Sequence, residues 1–476
     1  MTRVCYIQHS KEHTIMLPVA KLLGSNGIKF CFVSKSPENC AFYSASGFES
    51  VNIADKIFND KMTISNEEKE ELDLKYGPPG VREMCFSDVH MQSLFGNDYE
   101  IKEQIMARAL KFWENYFDKN KIDYLLLNET ASFQARSAYL VSKNKNIPIS
   151  CIVAGPDNEH FCMNDVGETY AWKELTESLN DRNTKISQKE KEIVLNFVDR
   201  RVSKKIKIPV FFVPESIFRS IKNLVGLWVR DNKKNRKKDP IFVAGLNYGR
   251  GQLWGRIKWN YFTKYLFKYD KSQKNEKYVY FPFFSGKEAH YLSNDIFYSE
   301  NQIVLIKEVA RSLPVGYFLY AKEHPFNPGD FTFSDLKKLK ESSNVRIFHP
   351  SVSSQELIDG SSAVVTVEGT AGWEGFLSKK PVICIGGLPY YSYSSLVYKV
   401  GNICDLPKVL WQAIKSGSEI YKKNEDKWIW FIYKVISTCG RGAIFEANTP
   451  NLLTSEENLK NMADSIFEKI TRNFGK

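Results

Sequence analysis

Short apolar runs alternate with longer amphipathic stretches through two separate parts of this 476-residue chain. In the first part, Val4–Gln8, Lys29–Val33, Tyr124–Leu127 and Ile147–Val153 read as strands. Helical periodicity fills His13–Ser25, Ile101–Lys119, a stretch ending near Lys143, and Ser187–Val202. The second part repeats the pattern. Strands are expected at Tyr278–Phe281, Val315–Tyr320, Val345–Phe348, Ala363–Val367 and Val382–Gly386. Helices are expected at Asn301–Ser312, Phe333–Lys340, Ser353–Asp359 and Ala371–Ser378, with closing helices after residue 416 that include Asn458–Thr471. Alternation of this kind dictates a parallel sheet with helices on both faces, because each strand-to-strand crossover must carry a helix. The expected fold is α/β, with two Rossmann-like domains facing across a cleft and C-terminal closing helices. The expected domains are 1–203 on the acceptor side, 204–276 as a basic aromatic connection, 277–415 for the nucleotide, and 416–476.

Bulk properties narrow the class of protein. With 43% apolar and 25% charged residues the chain has the composition of an ordinary globular protein. No apolar run approaches the roughly 18–20 residues that span a bilayer. The first residues turn polar at Gln8-His9 and read as a strand, not as a secretory signal. Nine cysteines without metal-like spacing read as buried thiols in a reducing, cytoplasmic setting. There is no Asp-x-Asp motif, so no metal is expected, and no cofactor.

Two polar clusters follow two of the buried strands. The first is Lys322-Glu323-His324-Pro325; the second is Val367-Glu368-Gly369-Thr370-Ala371-Gly372-Trp373-Glu374. Ligands of open α/β sheets bind at the carboxyl ends of the strands, so both clusters belong on one rim. Gly369 and Gly372 open a helix, and its unpaired N–H groups suit a phosphate. The Thr370 hydroxyl adds a donor. Glu374 lies one turn deeper on the same face, where it can accept from ribose hydroxyls. Lys322 adds charge, and His324 can donate to a phosphate oxygen and, if protonated, help neutralise a leaving nucleotide. Pro325 fixes the turn. Singly, a His-Pro turn and a glycine-rich helix start each have an ordinary structural reading. Together on one rim they point to a cradle for a nucleotide mono- or diphosphate. Trp373 reads as core; Tyr390 and Tyr391 read as packing or as a shelf for a base.

The run Tyr320-Ala321-Lys322-Glu323-His324-Pro325, then Gly369-Thr370-Ala371-Gly372-Trp373-Glu374-Gly375-Phe376, then Lys380-Pro381-Val382 to Gly386, resembles bacterial capsule polysaccharide biosynthesis proteins. These are glycosyltransferases of the GT-B type, Kdo (3-deoxy-octulosonate) transferases among them. The His-Pro is also similar to that of GT-B sialyltransferases that use CMP-sugars. The resemblance covers about residues 277–410 and departs from the family's Glu-Ala-Leu at Gly375-Phe376. It implies that His324 and the Gly369–Glu374 loop hold a nucleotide-sugar donor, CMP-linked, and that a glycan or lipid-linked glycan receives the sugar; Lys322, Pro325 and Glu368 complete the expected donor-binding residues. Two other readings stand beside it: a GT-B sugar-nucleotide epimerase, and a non-catalytic polysaccharide- or membrane-binding assembly protein.

Glycosyl transfer needs a group to deprotonate the acceptor or to attack the donor. The candidates in the N-terminal half are His9, His13, Asp88, Glu129, Asp157, Glu159 and Asp165, with Glu129 first and Asp157 second because they follow the clearest strands. Positive charge is concentrated elsewhere. Residues 201–280 hold 20 Lys and Arg against 5 Asp and Glu, whereas the whole chain carries +11. Ile217–Arg230 and Trp254–Lys268 mix these cations with aromatics at helical spacing, which suits an anionic membrane surface. A linker whose aromatics pack on the domains is the plainer reading. No nucleic-acid-binding motif is present.

Overall fold

The structure is a computed structural model that describes residues 2–8, 13–58, 62–77, 98–128, 132–164, 172–180, 185–203, 267–284, 302–324, 331–367, 369–386, 389–444 and 451–474, with positions 81, 85, 91, 95, 96 and 130. The chain divides into two compact units. The first runs to Glu177 and resumes at Val435; the second begins at Ser178 and ends at Lys434.

The first unit is built on a seven-stranded sheet. Its strands are β1 (Thr2–Ile7), β2 (Ile28–Ser34), β3 (Glu49–Asn52), β4 (Tyr124–Leu127), β5 (Ile149–Ala154), β6 (His160–Asn164) and, from the C-terminal part, β13 (Gly440–Arg441). The order is β13-β6-β5-β4-β1-β2-β3. β1 to β5 are parallel, and β6 and β13 add an antiparallel edge. Helices cover both faces because the strands are apolar on both. Cys5, Ile7 and Leu125 pack under α2 (Tyr99–Asn120) and α3 (Phe133–Asn144). Val4, Tyr6 and Phe30 pack under α1 (His13–Ser25) and the last helix, Glu456–Asn473. β6 was not expected; the sequence there reads as polar and irregular.

The second unit holds a six-stranded sheet that is parallel throughout. Its strands are β7 (Lys277–Pro282), β8 (Tyr317–Lys322), β9 (Val345–Phe348), β10 (Ala363–Thr366), β11 (Val382–Ile385) and β12 (Tyr398–Val400), in the order β12-β11-β10-β7-β8-β9. Two doubly wound α/β units in one chain are the composition of the GT-B fold class. Side chains alternate across the sheet. Val279, Phe281, Leu319 and Ala321 face one core, with helix α5 (Gln302–Ser312), and Tyr278, Tyr280, Tyr320 and Val364 face the other. Tyr278 and Tyr320 stack at 3.8 Å between ring centroids.

Two expected boundaries change. The boundary at 203 places Gln188–Ser203 with the first domain, yet this helix, α4, packs in the second unit: Val194 and Phe197 are buried and Phe197 meets Trp373. Its partner is some 170 positions away, so no local signal marks it. Of the basic connection, residues 267–276 are described, and they join the second unit. Phe267 enters its core and the Asp270 amide donates to the Ile347 carbonyl at 2.9 Å. The rest of 204–276 lies outside the described residues. Among the described residues no helix is long and apolar enough to cross a membrane. The nine cysteines carry free thiols, six of them buried.

Candidate nucleotide site

The rim of the second sheet gathers most of the expected residues. β8 and β10 are parallel and separated by β7, so the segments that follow them emerge at one edge. β8 runs two residues further than the sequence suggests. Val315 is fully exposed and Gly316 takes a positive φ of 84°, so the strand starts at Tyr317 and ends at Lys322. Lys322 is therefore not in the loop. It alternates with Tyr320 onto the face that carries Tyr280 and is 2% exposed.

A buried ammonium requires partners. Lys322 Nζ donates to Ser354 Oγ at 2.7 Å, and the Tyr280 hydroxyl reaches the same oxygen at 3.3 Å. Ser354 opens helix α6 (Ser354–Gly360), which Ser353 caps through the Glu356 amide. Burial pushes the Lys322 pKa down to about 8, while the field of Glu374 opposes the shift. Glu374 sits in helix α7 (Thr370–Leu377). Burial raises its pKa, and Arg201 of α4 and Lys322 pull it back. His324 follows β8. Burial, then the Lys322 charge, pushes its pKa down to about 4. At neutral pH His324 is therefore uncharged, and the positive charge beside it is that of Lys322.

Gly372 has a role other than the one expected. A Cβ on Gly372 would lie 2.4 Å from the Tyr391 hydroxyl oxygen and 2.6 Å from two of its ring carbons. Gly372 thus makes room for Tyr391, not for a ligand. Tyr391 is 1% exposed and donates to the Gly369 carbonyl at 2.7 Å, so it braces the turn and is no shelf for a base. The Gly369 amide donates to Thr366 Oγ1 at 3.0 Å and the Gly372 amide to the Gly369 carbonyl at 3.0 Å. The Thr370 and Ala371 amides remain directed to the start of α7, with the Thr370 side chain exposed beside them. Trp373 is core, as expected, against Phe376 and Tyr390.

Three residues of this rim escaped the sequence reading. His349 follows β9, the strand beside β8, and its pKa is lowered by burial and by Lys322. The Ser351 amide donates to its Nδ1 at 3.1 Å, which leaves the proton on Nε2. Its His349-Pro350 repeats the His324-Pro325 pattern after a neighbouring strand, a signal present in the sequence. Ser354 and Arg201 had no such signal. Glu323, 2% exposed, accepts from the Tyr269 hydroxyl at 2.6 Å and backs the rim.

The remaining candidates lie in the first unit or outside the described residues. Asp157 lies in the first unit. It accepts from the Glu159 amide and from His160 Nδ1, both at 2.8 Å, and so orders the turn between β5 and β6. Pro325, Glu368, Glu129, His9, Asp88 and Asp165 lie outside the described residues, as does the side chain of His13. Among the described residues no group of three or more His, Cys, Asp or Glu could hold a metal ion.

Comparison with known proteins adds three kinds of finding. Among solved structures, the chain is similar to the beta Kdo 2,7 transferase KpsC of Thermosulfurimonas dismutans, at 12% identity and a TM-score of 0.34, covering 64% of this chain and 80% of that one. It is similar to the calicheamicin glycosyltransferase CalG4 at 12% identity and a TM-score of 0.34, covering 99% and 98%. It is also similar to the UDP-GlcNAc 2-epimerase of Neisseria meningitidis at 15% identity and a TM-score of 0.31, covering 99% and 100%. No curated protein matches. Residues 289–402, the segment that holds His324, His349 and the Gly369–Glu374 turn, match the model of the capsule polysaccharide biosynthesis protein family.

Proposed function

We propose that this protein is a glycosyltransferase of capsule-type surface polysaccharide synthesis. It moves a sugar from a nucleotide donor, CMP-linked and Kdo- or sialic-acid-like, to a glycan or glycolipid acceptor. The observation that carries the reading is that the family-matching segment itself supplies a rim with a buried lysine, a neutral histidine and a helix start. The Thr370 and Ala371 amides and the Thr370 hydroxyl take phosphate oxygens at the start of α7. Lys322 neutralises the phosphate, and His324 donates a hydrogen bond to the oxygen that leaves. Glu374 accepts from ribose hydroxyls. In transfer, the bond from the anomeric carbon to the phosphate oxygen breaks, and a bond to the acceptor oxygen forms. Its proton passes to an acid of the N-terminal half. Glu129 is assigned that role before Asp157, whose carboxylate is engaged by the Glu159 amide and His160. No metal step is invoked. The basic stretch within 204–276 would hold the enzyme at an anionic inner-membrane surface, where a lipid-linked acceptor resides.

Donor binding tests this. In a thermal-shift panel of CMP-, UDP- and GDP-sugars, one base class should raise the melting temperature by several degrees. At about 100 times Kd, ligand adds about 2.7 kcal/mol of stability. His324→Ala should lose most of that shift while keeping its unliganded melting point within a degree or two. Stabilisation by no nucleotide sinks the proposal. Interconversion of the donor sugar without any acceptor would favour an epimerase instead.

A further inference from the structure

Helix α4 brings a cation to this rim from outside the family-matching segment. Val194 and Phe197 form its buried stripe, and Phe197 packs on Trp373 of α7. Arg201 follows Phe197 by four residues, so it lies on the same face one turn on. Trp373 is the neighbour of Glu374 in sequence, and Arg201 acts on the Glu374 carboxylate together with Lys322. The Arg201 guanidinium is part-buried, and its Nε is shut off from solvent with no hydrogen-bond partner among the described residues. An arginine stays charged at any working pH, and a buried N–H without an acceptor is costly. Such a group is satisfied when an oxyanion arrives.

We propose that Arg201 is an anion-binding residue of the nucleotide-sugar site, taking an oxyanion of the bound donor, either a phosphate or a sugar-carboxylate oxygen. The inference rests on the nucleotide-sugar reading above. The Glu374 carboxylate then feels two cations, one at the end of β8 and one on α4. The planar guanidinium fits a carboxylate or phosphate by two parallel hydrogen bonds, which an ammonium cannot reproduce.

Calorimetric titration of the full chain separates the outcomes. The probes are cytidine, CMP, UDP, GDP and CMP-N-acetylneuraminate. In Arg201→Met, a loss of about tenfold or more in affinity for the nucleotide that the wild type binds, with the nucleoside unaffected, assigns Arg201 to phosphate. Unchanged CMP with a tenfold loss for CMP-N-acetylneuraminate assigns it to the carboxylate. Arg201→Lys, which keeps the charge and the packing stem, should fall between wild type and Arg201→Met and serves if the methionine variant does not fold. The loss should persist when Arg201→Met is made in a Glu374→Gln background. If it vanishes there, Arg201 acts only through Glu374 and the proposal is overturned. Wild-type affinity for every probe in Arg201→Met also overturns it, leaving the nucleotide-sugar reading intact. Failure of the wild type to bind any nucleotide removes both.

Discussion

Gly372→Ala lowers the stability of the protein by about 2–3 kcal/mol, the upper part of the range for overpacking a filled site. The added methyl group would sit 2.4 Å from the Tyr391 hydroxyl oxygen and 2.6 Å from two ring carbons. A flexible side chain would swing away, but Tyr391 is a rigid ring, 1% exposed. It is also tied to the Gly369 carbonyl at 2.7 Å, so retreat costs that hydrogen bond as well. The alternative is a shift of α7, whose next residue, Trp373, is packed against Phe376, Tyr390 and Phe197. At about 2–4 °C per kcal/mol for chains of 150–250 residues, the melting temperature should fall by about 4–12 °C in calorimetry. Gly369→Ala is the control. Its nearest contact is Thr366 Oγ1 at 3.2 Å, and its φ of −67° is open to any residue, so it should cost under about 1 kcal/mol. Equal melting points for the two variants would refute the packing account of Gly372. Tyr391→Ala should relieve the clash in Gly372→Ala, whereas Tyr391→Phe should not, because the ring carbons remain.

Most parallel strands of both units were legible because they are buried on both faces, whereas β3 and β12, at the sheet edges, were not. Tyr124–Leu127 and Val382–Ile385 are continuous apolar runs, and the structure places strands there. The rim was legible for the same reason: knowing where β8 and β10 end fixes where His324 and Thr370 emerge. What was not legible depends on partners far along the chain. β8 was expected to stop at Tyr320 because a lysine looks like a loop residue. Lys322 remains in the strand because Ser354, 32 positions on, accepts its hydrogen bond and Glu374 supplies an opposing charge. The charge state of His324 was not legible either, since it is set by burial and by that same lysine. Helix α4 has an apolar stripe, but nothing in it says which unit will cover it. β6 and β13 are an edge pair joined by Gly440–Phe161 and Arg441–His160 contacts, and a strand of two residues has no period to read. Gly372 was read as access for a ligand; only the position of Tyr391 reveals it as a packing site.

Nucleotide affinity should fall as pH rises through about 8, and Lys322→Met should lower the affinity and remove that pH dependence. The ordinary lysine value is 10.5, and burial brings Lys322 down to about 8. Its charged form is what an anionic phosphate requires, so the free protein binds best below that value. Above it, each binding event must recruit a proton, and affinity declines by up to tenfold per pH unit until the pKa of the bound state is reached. A phosphate beside the ammonium raises that bound-state pKa, so the decline spans the interval above 8. His324 and His349 produce no step near 6.5, because burial and Lys322 lower both. A histidine-controlled site would instead lose affinity from pH 6 to 7. In Lys322→Met the stem is replaced at similar volume, while the charge and the bond to Ser354 Oγ are lost. Charge-assisted hydrogen bonds are worth about 1.5–3 kcal/mol, which corresponds to roughly 10- to 150-fold in Kd. Titrations at pH 6, 7, 8 and 9 on both proteins decide the matter. A flat wild-type profile, or a Lys322→Met profile that still falls above pH 8, would show that another group carries the phosphate charge. The affinity that Lys322→Met keeps measures what Arg201 and the α7 amides supply without Lys322.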